Sequence, residues 1–272
     1  MLGQFIYTLH PLVLAFLVVG GTVSVSFLCI VCCRHFIRLA YEEATEFKIE
    51  TYSDAFGVAF AIFLGLIIVT AWSSYDQTDN ILRDETNYLN DLFKLSKYVG
   101  DPEKDELRNT LKQYVTAVIT EEWPLLPQGE NSQKVGQHLF HVLDILYSHE
   151  SSNKTEEIVR SELNKITTHL LEKRRSRNIN AESSVTPIMW MILISCNVIA
   201  FFILGLAVQG SLIFHVLLQS LYAFGIGLMI LLVIILDRPF YFGMYYGGGI
   251  TYEHFETLLD EWNGEEKQVS SL

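Results

Sequence analysis

Few side chains in this 272-residue sequence have the type and spacing to do chemistry. His215 is the one residue among His, Lys, Arg, Asp and Glu that sits well inside a long apolar run, with Gln219 one helical turn later. Hydrocarbon offers such groups no hydrogen bond, so they face a neighbouring helix or a water-filled path. Asn197 and Ser195, in the preceding apolar run, are candidate partners. The plainer reading is a neutral imidazole bonded between helices. His138, His141 and Asp144 recur at a helical spacing that can hold a metal, but no metal motif surrounds them, and neither a metal nor a cofactor is expected. Cys29, Cys32 and Cys33 crowd the end of another apolar run, where thiols stay buried rather than redox-active. Cys33 beside Arg34 fits a palmitoylation site, and Asn153-Lys154-Thr155 fits a glycosylation acceptor. The sequence has no His-Glu-x-x-His, no Gly-x-Ser-x-Gly and no Gly-rich phosphate loop, so an enzyme is not expected.

Phe56, Phe60, Phe63 and Ile67 stand on one helical stripe. Repeated around a symmetry axis, such bulky apolar groups form a constriction that gates by dewetting. The competing reading is packing against lipid or other helices, and Gly57 and Gly65 permit close helix contact either way. Beyond the stripe, Asp76, Asp79, Asp84, Glu85 and Asp91 outnumber Arg83, Lys94 and Lys97. As a vestibule wall this stretch would favour cations or weak selectivity; otherwise it is a solvated face.

The elements that must position these residues are helices in a membrane. Half the residues are hydrophobic, only 18% are charged, and mean hydropathy is +0.27. No Lys, Arg, Asp or Glu occurs from Pro11 to Cys33 or from Ser183 to Leu236. Runs of that length exclude an ordinary soluble domain and are long enough to cross about 30 Å of hydrocarbon. Four spans result: Pro11–Cys33, Ala55–Trp72 with an extension to Tyr75, Pro187–Val208, and Ser211–Leu236. Val208-Gln209-Gly210-Ser211 is the turn of the last hairpin. The first run is read as a retained span, since nothing basic precedes it. The net charge of −12 argues against nucleic acid and against a polybasic lipid-binding patch.

Residues 1–75 hold spans one and two, 76–182 a helical domain inserted before span three, 183–240 spans three and four, and 241–272 an acidic tail. Within 76–182 the apolar periodicity is helical throughout. Span two runs on with neither Gly nor Pro between Trp72 and Gly100. Asp101-Pro102 reads as a cap followed by a first-turn Pro, opening a helix that ends near Pro124. A second helix carries Val135, Leu139, Val142 and Leu146. A third starts at Thr155 with a face of Val159, Leu163, Ile166 and Leu170. Gly247-Gly248-Gly249 breaks the chain before a short docking helix bearing Phe255, Leu258, Leu259 and Trp262. Lys173, Arg174, Arg175, Arg177, Arg83 and Arg238 against Arg34, Arg38 and Lys48 place the large domain and both termini in the cytoplasm.

Several local patterns then coincide in order: Asp84-Glu85-Thr86-Asn87, Asp105-Glu106-Leu107 leading into Gln113-Tyr114-Val115, Glu121-Glu122-Trp123-Pro124, Lys173-Arg174-Arg175-Ser176-Arg177 before Pro187-Ile188-Met189-Trp190, and Leu236-Asp237-Arg238-Pro239-Phe240. From about residue 50 to 243 the chain resembles the bestrophin-like family of membrane proteins. The resemblance implies an all-α integral membrane protein of four spans with a helical cytosolic domain. It further implies a homo-oligomer, five-fold as in bestrophin anion channels, with the second span lining a hydrophobic neck. The functional expectation is an ion channel in a lipid bilayer, passing inorganic ions, with Phe56, Phe60, Phe63 and Ile67 at the neck. The alternative is a non-conducting membrane sensor or scaffold.

Overall fold

The computed structural model describes residues 10–37, 49–148, 153–206, 211–246 and 249–270. Among the described residues 90% are helical and none lies in a strand. In chain order the α-helices are α1 Pro11–Cys32, α2 Ile49–Leu95, α3 Asp101–Ala117, α4 Gln133–Ser148, α5 Lys154–Asn180, α6 Pro187–Leu206, α7 Leu212–Asp237, α8 Pro239–Tyr246 and α9 Glu253–Ser270. Helices α1, α2, α6 and α7 are long and apolar enough to cross a membrane. The chain divides into two compact units, Met1–Ser74 with Ser183–Asp237, and Tyr75–Glu182 with Arg238–Leu272. Arg38, Lys48, Val208-Gln209-Gly210 and Gly247-Gly248, which carried parts of the topology and turn readings, lie outside the described residues.

In the first unit α1 packs closely on α7 and on α6. Close approach is possible because Gly227 has no side chain: a Cβ there would lie 2.5 Å from Thr22 Oγ1 and 3.0 Å from the Val19 Cα. Small residues at helix crossings do this throughout lipid-embedded bundles, where packing rather than the hydrophobic effect drives association. Large apolar groups such as Leu12, Phe16, Leu66, Ile213 and Leu221 remain exposed, as a face turned to lipid or to another copy requires. Buried polar groups are few among the described residues of this unit. The buried Asp237 carboxylate accepts the Val185 backbone N–H at 2.7 Å and the hydroxyls of Ser183 and Ser184 at 2.7 and 3.1 Å. It thereby fastens the entry of α6 to the end of α7.

In the second unit α3, α4, α5 and the lower half of α2 surround a core of Leu82, Leu89, Leu111, Tyr114, Trp123, Leu139, Leu146, Leu163 and Leu170. Helix α3 starts with Asp101 inside its first turn and Gly100 at the cap. The Asp101 carboxylate is held by Lys104 at 2.6 Å instead of capping the helix. Helix α5 starts earlier than Thr155, because the Asn153 side chain accepts the Glu156 N–H at 2.9 Å and caps it. The C-terminal segment belongs to this unit rather than standing apart. Trp262 of α9 stacks on Phe93 at 4.4 Å and is fully buried with Phe255. Trp123 meets Phe240 and Phe255 edge to face. Arg238 onward belongs to this second compact unit.

Candidate functional site

Helix α2 is one element of 47 residues, and its section up to Ser74 belongs to the first unit. Its two faces differ. Phe60, Leu64, Ile67 and Ala71 are 0–3% exposed and close one side against this chain's own residues. On the other side Val58, Ile62, Leu66 and Val69 are each more than 60% exposed. These four recur every three or four residues, the period of one helical face. The four expected neck residues therefore divide. Phe60 and Ile67 are buried inside their own unit, while Phe56 and Phe63 are half-buried at the edge of the open face. Phe56 stacks on Phe60 at 6.5 Å. Val58, Ile62, Leu66 and Val69 thus form the exposed apolar stripe of this section, opposite its buried face.

The same unit holds the polar group expected from sequence. His215 Nε2 and Gln219 Oε1 are 3.0 Å apart. The Gln219 amide donates to the Phe201 carbonyl at 3.2 Å and to the Ser26 carbonyl at 3.4 Å. Gln219 therefore ties α7 to both α6 and α1. Ser195 and Asn197 are not the partners of His215: Ser195 is exposed, and Asn197 is buried with its Nδ2 lacking a hydrogen bond. Cys33 donates to the Phe202 carbonyl at 3.5 Å, and Cys29 and Cys33 are buried. Among the described residues no three His, Cys, Asp or Glu side chains converge as a metal site, and His141 instead lies 3.7 Å from Glu106.

The second unit contains a buried ionic cluster. The π turn Val118–Glu122 at the end of α3 carries Glu122 inward, where the side chain is fully buried. Glu122 accepts Arg174 Nη2 at 2.8 Å, Arg174 Nε at 3.1 Å, Arg177 Nη2 at 3.0 Å and Asn178 Nδ2 at 3.1 Å. Arg177 is also fully buried, with Nε 3.5 Å from Glu85 Oε2 on α2. The Tyr114 hydroxyl donates to Glu85 Oε1 at 2.6 Å. Two carboxylates thus face two guanidiniums, the balance that buried charge requires. Burial pushes the Glu85 carboxyl above its ordinary range, against the opposing pull of Arg177 and Tyr114. Burial and the neighbouring Glu85 push the Tyr114 hydroxyl up as well. A second buried guanidinium, Arg160, forks onto Glu103 at 2.6 and 2.9 Å and reaches Glu156 at 3.1 Å.

Sequence reasoning used Glu85, Tyr114, Glu122, Arg174 and Arg177 as markers of resemblance and missed that they form one cluster. The charges from Lys173 to Arg177, read for topology, are largely committed to the interior of this unit. Lys173 bonds Asp84 at 2.8 Å, and Arg174 and Arg177 bond Glu122. The signal was present as the only dense basic cluster lying downstream of paired acids at Asp84-Glu85 and Glu121-Glu122.

Of the ordered residues that suggested a family, Glu85, Tyr114, Glu122, Arg174 and Arg177 form this cluster, and the family model of the Bestrophin-like domain matches residues 20–242. The chain belongs to the Bestrophin-like family. Solved structures share this bestrophin-like fold. A point variant of a bacterial bestrophin homologue from Klebsiella pneumoniae is 15% identical and superposes with a TM-score of 0.61, covering 92% of this chain and 99% of its own. A second variant of that homologue is 14% identical with a TM-score of 0.63, covering 91% and 97%. A further structure, described as a membrane protein, is 13% identical with a TM-score of 0.64 over the same shares. No curated protein matches the sequence significantly. With its four apolar helices and this family, the chain is an integral membrane protein.

Proposed function

We propose that this bestrophin-like chain assembles as a homo-oligomeric ion channel with α2 around the central axis. Five copies is the number the family resemblance suggests. Residues 76–182 form the helical domain inserted between spans two and three, on the cytoplasmic side with both termini, and inorganic ions pass without any catalytic step. The observation that carries this reading is the open apolar stripe Val58, Ile62, Leu66 and Val69 on a helix whose opposite face is closed. A single copy encloses no path. Several copies turning this stripe inward make a short dry neck that holds back ions until it wets. Phe56 and Phe63 border that neck, and Phe60 and Ile67 support it from behind.

Flux through liposomes holding equal amounts of assembled wild type, Leu66→Ala and Phe60→Ala tests this. Leu66→Ala widens the neck in every copy and raises basal flux several-fold. Phe60→Ala creates a cavity that costs about 3–5 kcal/mol in a packed interior and lowers thermal stability without opening a path. Raised flux from Phe60→Ala with none from Leu66→Ala would move the neck to the aromatic stripe. No flux from any intact oligomer would leave a non-conducting scaffold.

A further inference from the structure

We propose that the first unit holds a site for an organic ammonium ion carrying an apolar chain, in the cavity that α2, α6 and α7 border. The cavity measures about 390 Å³, room for a small organic molecule. Its lining includes Asp54, Phe56 and Gly57 at the start of α2, Ile203 and Leu204 of α6, and Tyr222 of α7. All of these belong to one compact unit. Asp54 is the one charged residue of the lining, and it immediately precedes the apolar section of α2. The carboxylate therefore marks the end of the cavity nearest water. Asp54 is exposed and forms no salt bridge among the described residues, where Arg34 is the one Lys or Arg of this unit.

Phe56 and Tyr222 add two aromatic rings to the lining. Phe60 stacks on Phe56 at 6.5 Å, and Phe201 meets Tyr222 edge to face at 6.3 Å. Neither Phe60 nor Phe201 lines the cavity, so each lining ring is braced from outside it. Aromatic faces attract ammonium groups, and a carboxylate beside them supplies the countercharge. Other classes of ligand suit this wall less well. A hard divalent cation takes about six or more oxygen ligands, which Ile203 and Leu204 do not provide. An anion meets the repulsion of Asp54. A neutral apolar molecule takes the carboxylate out of water with nothing to pair it. An ammonium group at Asp54, with its chain along Ile203 and Leu204, leaves neither the charge nor the apolar wall unmatched.

Titration calorimetry of the full chain in an uncharged maltoside detergent tests this, with hexyltrimethylammonium, hexan-1-ol and hexanoate as probes. Only the ammonium probe should bind saturably. Asp54→Asn should weaken it about tenfold or more, through the lost countercharge. Tyr222→Leu should weaken it roughly two- to thirtyfold, the span of a cation–π contact, while Tyr222→Phe keeps the ring and the affinity. Gly57→Leu guards against a folding defect. A Cβ at Gly57 meets nothing within 4 Å, and leucine is the better helix former. That variant should keep the wild-type melting temperature and lose binding, because its side chain fills the cavity. Equal binding of the alcohol and the ammonium ion overturns the proposal, as does unchanged affinity in Asp54→Asn. Absence of saturable binding to wild type also overturns it, and means that a neighbouring copy or the chain itself closes the space. The channel reading is decided separately, by flux.

Discussion

The two units of this protein handle polar groups in opposite ways. The first, built of α1, α6, α7 and the upper part of α2, satisfies its interior with neutral groups. The Gln219 amide bonds two backbone carbonyls, and the buried Asp237 carboxylate is covered by a backbone N–H and two hydroxyls. The second unit buries full charges, with Arg177 and Glu122 both fully enclosed. The difference follows from the surroundings. A unit bounded by lipid has no water to solvate a stray charge during folding or breathing, so its polar contacts are short-range and local. A unit bounded by water can enclose paired charges and use them to fix which helices meet, here α2, α3 and α5 through Glu85, Glu122 and Arg177.

The sharpest way to break this comparison is to unpair the ionic cluster. Arg177→Met leaves Glu85 and Glu122 buried with one guanidinium between them. Removing one partner of a buried pair costs about 3–5 kcal/mol. Thermal unfolding of the purified protein should shift down strongly, with hydrogen exchange rising first in α2 beyond Tyr75, α3 and α5. An unchanged melting profile would mean that the cluster contributes nothing net.

Glu85→Gln gives a smaller, pH-dependent effect. The folded state holds the Glu85 carboxyl above its ordinary value through burial. A raised folded-state pKa means the folded protein binds the proton more tightly, so this group's stabilisation is complete below the ordinary carboxyl pKa and is lost as pH rises through the folded value. Wild type should therefore lose melting temperature more steeply than Glu85→Gln, which cannot ionise, as pH rises above the ordinary carboxyl range. Parallel slopes would show that Glu85 does not couple folding to pH. The smallest effect belongs to the membrane side. Gln219→Leu removes two amide bonds to neighbouring helices and the partner of His215, at about 1 kcal/mol, the scale of a hydrogen bond between membrane helices. Melting of the variant in detergent reads it; a loss as large as that of Arg177→Met would erase the contrast between the units.

What was legible in the sequence follows the same division. Uncharged runs give the spans directly, since hydrophobic length is a property of a single segment. Apolar periodicity likewise places α3, α4 and α5 to within a few residues; Asn153 rather than Thr155 begins α5 because a side-chain cap outweighs the acidic first turn. The direction of a stripe is another matter. Phe56, Phe60, Phe63 and Ile67 have the spacing of a face, but spacing does not say whether that face is open, and bulky aromatic rings suit a packed interior as well as a neck. Long-range pairings were equally hidden. Arg174 and Arg177 meet Glu122 across more than 50 residues, a distance over which no local pattern operates. His215 was identified as a polar group within a span, and its partner Gln219 lies within one turn, where helix geometry makes neighbours obvious.

The unbroken length of α2 has a consequence in terms of phase. Each residue advances a helix by about 100°, so within the helical unit every position from Tyr75 to Lys94 is locked in angle to every other. Its glycines, Gly57 and Gly65, lie in the apolar section, and no Gly or Pro interrupts it afterwards up to Leu95. Adding one residue between Leu82 and Glu85 would swing Glu85 and Leu89 together by about 100° while leaving Leu82 in place. Glu85 would leave the ionic cluster at the same moment that Leu89 left the core. The register of one helix thus keeps the charged and the apolar parts of the helical unit's interior in step.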